Sequence, residues 1–232
     1  FNETVEWNLG FYRTDLKDDI YMIGYPGNRN FFDTIGETRR QGLEAGITAS
    51  FDKWRLRLNY ALTDATFQDS FWMPANDNSS SVEEFFGNRD YSRRIKVKPG
   101  DRMPGVPLHN LNATLGYQIT PAWQIGLTAV AHSFDYVRGN ENNKHQEGAT
   151  IVDTIVTDGS TLIAAPRKTT TPGTTPGYMT FNLQTSYKLN SEWTLGLRIN
   201  NIFDKEYFSA GRLGRNPFSP SIYGAIGESG YN

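Results

Sequence analysis

At 232 residues, with a formal net charge of −2 and a pI near 6.0, the chain has no basic excess that would point to nucleic acid. It contains no cysteine, which excludes disulfides, thiolate metal sites and cysteine nucleophiles. The mean hydropathy of −0.55 and the lack of any apolar run near ~18 residues argue against a membrane helix, but alternating strands with polar loops average to the same value.

The first element is an alternation of Val5, Trp7, Leu9 and Phe11 that predicts a strand over roughly 4–23. No signal peptide precedes it, so Phe1 reads as a cut and not a natural N-terminus. Next, Leu43, Ala45, Ile47, Ala49 and Phe51 alternate with Gly42, Glu44, Gly46, Thr48 and Ser50. After a tight turn the pattern resumes through Trp54, Leu56, Leu58, Tyr60 and Leu62. A second pair runs through Leu111, Ala113, Leu115, Tyr117 and Ile119, then Trp123, Ile125, Leu127, Ala129 and Ala131. The third has Phe181, Leu183, Tyr187 and Leu189, then Trp193, Leu195, Leu197 and Ile199. That makes seven strands.

The three turns share one pattern, in which polar residues are followed by a Trp and then by alternate apolar positions. Trp54, Trp123 and Trp193 recur at intervals of 69 and 70 residues, so a two-stranded unit with a long return repeats along the chain. Turns are short at one end and very long at the other, which is the signature of a transmembrane β-barrel. Each apolar stripe runs about 9–11 residues, the length a tilted strand needs to cross a hydrocarbon core. Phe51, Trp54, Tyr117, Trp123, Tyr187 and Trp193 cluster at the stripe ends as an interfacial aromatic belt, with indole N–H groups toward water. The bland alternative makes them core aromatics of a soluble sandwich.

Opposite the stripe stand Arg55, Arg57, Asn59, Asn112, Gln118, Gln124, Asn182, Gln184, Lys188 and Arg198. An Arg facing lipid near the midplane costs roughly 2–4 kcal/mol, so this face is assigned to a wet or plugged lumen. Gly46, Gly116, Gly126 and Gly196 share it and would allow something inside to approach closely. Alternation carries Asn201 outward after Ile199, which requires either a bulge or emergence from the bilayer. Of the long loops, residues 72–106 join an Asn/Ser/acidic stretch to a basic one, and residues 139–177 contain NENNKHQEG and the tract APRKTTTPGTTPG. The Pro/Thr tract reads as extended and mobile, without a packed core. Seven strands are odd in number and leave two open edges, which lipid does not tolerate, so the chain reads as a piece of a larger barrel cut at both ends.

Four segments carry a resemblance to a family: FYRTDLKDDIYMI (11–23), GETRRQGLEAGI (36–47), PGDRMPGVPLHNLNATLGY (99–117) and LGLRINNIFDKEYF (195–208). They resemble the C-terminal third of TonB-dependent outer-membrane receptors, over essentially the entire chain. The most specific is the Asn-x-Phe-Asp-x-x-Tyr stretch, here Asn201, Phe203, Asp204 and Tyr207, which such receptors carry on their penultimate strand. The resemblance implies that residues 1–232 are the C-terminal portion of a 22-stranded barrel, without the N-terminal plug, the box that contacts TonB, or the closing strand with its terminal aromatic. It also implies a Gram-negative outer-membrane location and energised import of a scarce, bulky ligand, a ferric siderophore above all, through TonB. A porin or adhesin, or a soluble carbohydrate-binding β-domain, are the competing readings.

The basic run Arg89, Arg93, Arg94, Lys96, Lys98 and Arg102 could attract an anionic ferric siderophore or bridge lipopolysaccharide phosphates. The alternative is a solvated loop balanced by Asp77, Glu83, Glu84 and Asp90. Arg39 and Arg40, just above the bilayer, could meet lipopolysaccharide or plug. Asp15, Asp18 and Asp19 lack the ligand spacing and glycine of a calcium loop. His109, His132 and His145 are too scattered for a zinc site. No nucleophile elbow, P-loop or dinucleotide fingerprint is present, so neither an enzyme nor a cofactor is expected.

Overall fold

The computed structural model describes residues 4–25, 29–85, 91–157 and 161–214. Seven strands form one antiparallel sheet: β1 (Thr4–Leu16), β2 (Thr38–Phe51), β3 (Trp54–Phe67), β4 (His109–Thr120), β5 (Trp123–His132), β6 (Tyr178–Lys188) and β7 (Thr194–Ile199). Spatial order equals chain order, so the wall is a simple meander. The short turns all lie at one end, and residues 17–37, 68–108 and 133–177 connect the strands at the other.

Register aligns the expected stripes into one continuous face. Leu127 of β5 stands beside Leu115 and Leu183, Leu115 beside Leu56, and Leu56 beside Ala49, with Val5 completing the row on β1. Because side chains alternate, one aligned row fixes the whole face. That face carries no second layer among the described residues: Trp7 is 74% and Phe11 78% exposed. A sandwich would bury such a surface against a second sheet.

Two expectations need correction. The first strand does not run to residue 23: it stops at Leu16, Asp18 adopts a left-handed φ of 51°, and Ile20–Tyr25 forms a separate hairpin with Arg29–Thr34. The long loops are also folded. Phe71–Pro74 and Val82–Phe85 flank Tyr91–Val97 in a small sheet, and Thr150–Thr157 pairs with Thr161–Lys168. The Pro/Thr tract is therefore not without packing: Thr174–Thr175 pairs with Asp135–Tyr136, and Thr169 and Thr175 are buried.

The first two of these loops share, with the end of β3, an apolar core among the described residues, made of Tyr21, Ile23, Ile35, Ala65, Phe67, Met73, Ala75, Ile95, Val97 and Met103. Ala65 and Phe67 continue the parity of Arg55, Arg57 and Asn59 along β3, so this core grows from the polar side of the wall and forms a cap at the long-loop end. Gly42 marks a close approach lower down. Tyr12 reaches across it to donate a 3.0 Å hydrogen bond to Thr63, and a Cβ there would run into the Leu62 carbonyl.

Candidate functional site: the interlocked cap and the polar wall

Above its apolar core, the cap is held by a buried polar lock between the second and third long loops. Asn78 is fully buried, and its Nδ2 donates to the Gly139 carbonyl at 2.8 Å and to Asn142 Oδ1 at 3.2 Å. Its Oδ1 accepts from the Ser80 backbone N–H at 2.9 Å and the Ser80 hydroxyl at 2.7 Å. Arg167 donates to the Asn76 carbonyl at 2.6 Å and pairs with Asp153 at 2.8 Å and Asp77 at 3.0 Å. Thr154 donates its N–H and hydroxyl to the Glu83 carboxylate at 2.9 and 2.6 Å. The two loops thus form one unit. Asn78→Ala leaves the Gly139 carbonyl without its side-chain donor and Asn142 Oδ1 with only the Lys144 N–H, at about 1–3 kcal/mol. We expect faster amide exchange across residues 139–146 and an unchanged wall; equal exchange in both proteins would refute the lock.

His145 closes the same lock. Its Nδ1 accepts the Ser79 backbone N–H at 3.0 Å and its Nε2–H donates to the Thr171 carbonyl at 3.0 Å, so both nitrogens are satisfied in the neutral ring. Burial pushes the imidazole below its ordinary value, against the pull of the Thr171 carbonyl and Asp77, and Arg167 adds to the lowering. A lowered value means that the unfolded cap binds the proton more readily than the folded one. Its contribution is therefore complete above about pH 6.5 and is lost as pH falls through the lowered value. Glu141 acts in the opposite sense: burial raises it, although Gly139 N–H and Tyr21 O–H donate to its carboxylate. Exchange of the Ser79 amide, corrected for intrinsic rate, should quicken between about pH 7.5 and about pH 5. His145→Gln should remove that dependence.

The structure divides the basic run. Arg93 serves the cap itself, donating to Ser81 Oγ at 2.9 Å, the Ser81 carbonyl at 2.7 Å and the Val152 carbonyl at 2.7 Å. Arg102 Nη2 reaches the Val106 carbonyl at 3.3 Å, and its guanidinium lies 5.9 Å from the ring centres of both Phe134 and Tyr136. Arg94 pairs with Glu84 at 3.2 Å, and Arg94 and Lys96 each lie 5.9 Å from the Trp72 ring. Lys96 and Lys98 are exposed, and Arg89 and Asp90 lie outside the described residues. Arg39 holds Asp15 at 2.6 Å, while Asp19 takes the Thr38 hydroxyl at 2.6 Å and Arg40 at 3.2 Å. Arg13 also pairs with Asp15 at 2.8 Å, so Asp15 and Asp19 answer to three arginines. Among the described residues no three His, Asp or Glu side chains converge as a metal shell. His109 meets Tyr60, and His132 donates to Asn110.

At the short-turn end five of the six expected aromatics fall into two groups on the apolar face. Phe51 opposes Trp54, Trp54 meets Tyr117 with ring centres 4.5 Å apart, and Trp123 opposes Tyr187. The Trp123 N–H does not point simply to water; it donates to Thr185 Oγ1 at 2.8 Å. Trp193 sits in its turn, its backbone N–H donating to Asn190 Oδ1 at 2.8 Å.

Asn201, Phe203, Asp204 and Tyr207 lie past the end of β7, not on a strand. Asn201 and Asp204 take left-handed φ values of 50° and 48°, and Asn201 exchanges hydrogen bonds with Lys205. The chain still follows β6: Ile202 N–H donates to the Phe181 carbonyl, Phe203 packs edge-on to Phe181 and Tyr207 stacks on Tyr178. Phe181 belongs to the apolar stripe and Tyr178 to the other parity, so this turn switches the following side chains between faces.

Sequence reasoning missed the cap core and its buried amides. The signal was present as Phe71 and Met73, then Ile95 and Val97, alternating in a stretch dismissed as loop, with asparagine-rich runs in both partners.

The sequence profile described as "TonB dependent receptor-like, beta-barrel" matches residues 1–202. The chain belongs to that family. Among curated relatives, the metal-pseudopaline receptor CntO of Pseudomonas aeruginosa is 23% identical over 194 residues, covering 83% of this chain and 20% of that protein. The chain thus spans about a fifth of the length of the curated relatives it matches. The siderophore receptor PiuA from Acinetobacter baumannii superposes with a TM-score of 0.54 at 17% identity, over 90% of this chain and 23% of that one. The ferric-catecholate import receptor Fiu of E. coli K12 gives 0.52 at 17% identity, over 90% and 22%. These likenesses establish a TonB-dependent receptor barrel wall, a fold of the Gram-negative outer membrane, and a family of receptors and transporters.

Proposed function

We propose that the chain forms wall and cap of an outer-membrane receptor that imports a scarce metal chelate, a ferric siderophore first of all, energised through TonB. In this reading residues 1–232 are the C-terminal portion of the barrel. The plug that contacts TonB and the strands that close the wall belong to the rest of the receptor, and the apolar face meets lipid and lipopolysaccharide. The observation that carries it is the folded cap, which has its own core and polar lock and stands on the lumen side of a lipid-type wall. A channel for small solutes has no need of such a structure. The names of relatives, a metal-pseudopaline receptor and siderophore receptors, favour a metal-bearing ligand. Because Arg93, Arg94 and Arg102 are engaged within the cap, ligand contact falls to Lys96 and Lys98, with Arg89.

Deleting the gene and growing the strain under iron chelation with single ferric siderophores tests this. Loss of growth on one chelate, restored by the gene, supports the reading. Undiminished growth on every iron, zinc, nickel and copper chelate offered would sink it.

A further inference from the structure

The hairpin of the first long loop is apolar on both of its faces. Its leading strand opens with the unbroken run Ile20, Tyr21, Met22 and Ile23, and such runs belong to strands covered on two sides. Register sorts the side chains: Tyr21 stands opposite Asp33 and Ile23 opposite Phe31, while Ile20 stands opposite Thr34 and Met22 opposite Phe32. Tyr21 and Ile23 are buried in the cap core. On the other face Ile20 is 66% and Phe32 74% exposed, so among the described residues that face lies open. The neighbouring cap strand Tyr91–Val97 is built differently, backing its buried Ile95 and Val97 with Arg94 and Lys96.

The hairpin leaves the wall just past Leu16 of β1, the first strand of the sheet, which has a partner on one side. In lipid its open edge requires another strand. The wall is a meander with its short turns at the Thr4 end, so a strand preceding β1 runs antiparallel to it. At the long-loop end such a strand begins about 4.8 Å from β1, and the loop that enters it rises beside the hairpin.

We propose that the face formed by Ile20, Met22 and Phe32 docks an apolar segment of the long loop that enters the preceding wall strand. The proposal rests on reading the chain as part of a closed receptor barrel. There is chain enough to supply the cover, since the match to the curated relative spans 20% of that protein. Ile20, Met22, Phe32 and Thr34 offer no charge to an anionic chelate, so the face suits an apolar protein segment better than the ligand. Covered on both sides, the hairpin becomes a middle layer, and the cap continues into the loop before Phe1.

The test uses the complete receptor on intact cells. Phe32 is replaced by the photo-cross-linker p-benzoylphenylalanine, and the linked peptides are identified by mass spectrometry. A link within one receptor chain, to the loop entering the preceding strand, is the expected result. A link to a second receptor copy at doubled mass, a link only to residues of this cap, or no link at all overturns the proposal. Should the Phe32 variant fail to assemble, the same replacement at Ile20 serves in its place. Labelling by a membrane-impermeant maleimide gives a second readout, with the unsubstituted receptor as background. Thr34→Cys, on the docking face, should react at least about tenfold more slowly than Lys17→Cys at the exposed position before the hairpin, because a covered thiol reacts only through local opening. Equal rates overturn the proposal, as does protection of Thr34→Cys that appears only with an added ferric chelate. Heat-modifiable gel migration reads the barrel independently: its absence in the unsubstituted receptor defeats the receptor reading, whatever the cross-linker reports.

Discussion

Phe67→Ala is expected to unfold the cap while the wall stays assembled. The Phe67 side chain is 0% exposed, packed edge-on between Tyr21 at 5.7 Å and Phe71 at 5.2 Å. Truncating such a ring costs about 3–5 kcal/mol, and the cluster around it is too small to collapse into the space. The backbone bonds to Gly100 and Asp101 remain but would no longer be backed by packing. Limited trypsin digestion reads this directly, because Arg93, Arg94 and Lys96 lie on the strand that Phe67 supports and Lys98 just past its end. Rapid cleavage there, with heat-modifiable migration retained, is the expected result. A digestion pattern like that of the unsubstituted protein would show that the cap core does not depend on this ring.

The second large effect separates the two faces of one strand. Leu127 sits mid-way along β5 on the apolar stripe, three residues before Val130, which has the opposite parity. Leu127→Arg places a guanidinium group near the bilayer midplane and should cost about 2–4 kcal/mol in folding from denaturant into lipid vesicles. Val130→Arg, beside Asn112 and Thr180, meets a polar face and should cost little. Equal penalties for the two would reverse the assignment of lipid and lumen.

The wall was legible because lipid imposes a period of two over lengths set by the bilayer, and Leu127, Leu115 and Leu56 obey it without exception. The aromatic ends were legible for the same reason, since interface chemistry selects them by position. The cap was not. Asn78, Asn140 and Asn142 are polar residues buried by partners more than sixty positions away, and no local pattern announces such a pairing. Asn201 was ambiguous in the same way: its left-handed backbone depends on Asn182 of the neighbouring strand accepting its N–H, a tertiary contact. Within the basic run, charge was visible but its use was not, because Arg93 looks like Lys96 until Ser81 and Val152 are seen beside it.

The shared lock between the second and third loops has a consequence for how this receptor can diversify. Asn78, Ser79 and Ser80 on one side, and Gly139, Asn142 and His145 on the other, are complementary halves of a single joint. Transplanting either loop alone into a homologue would carry half of that joint into a host lacking the other half. A folded cap should therefore be inherited, or engineered, only by exchanging the two loops as a matched pair.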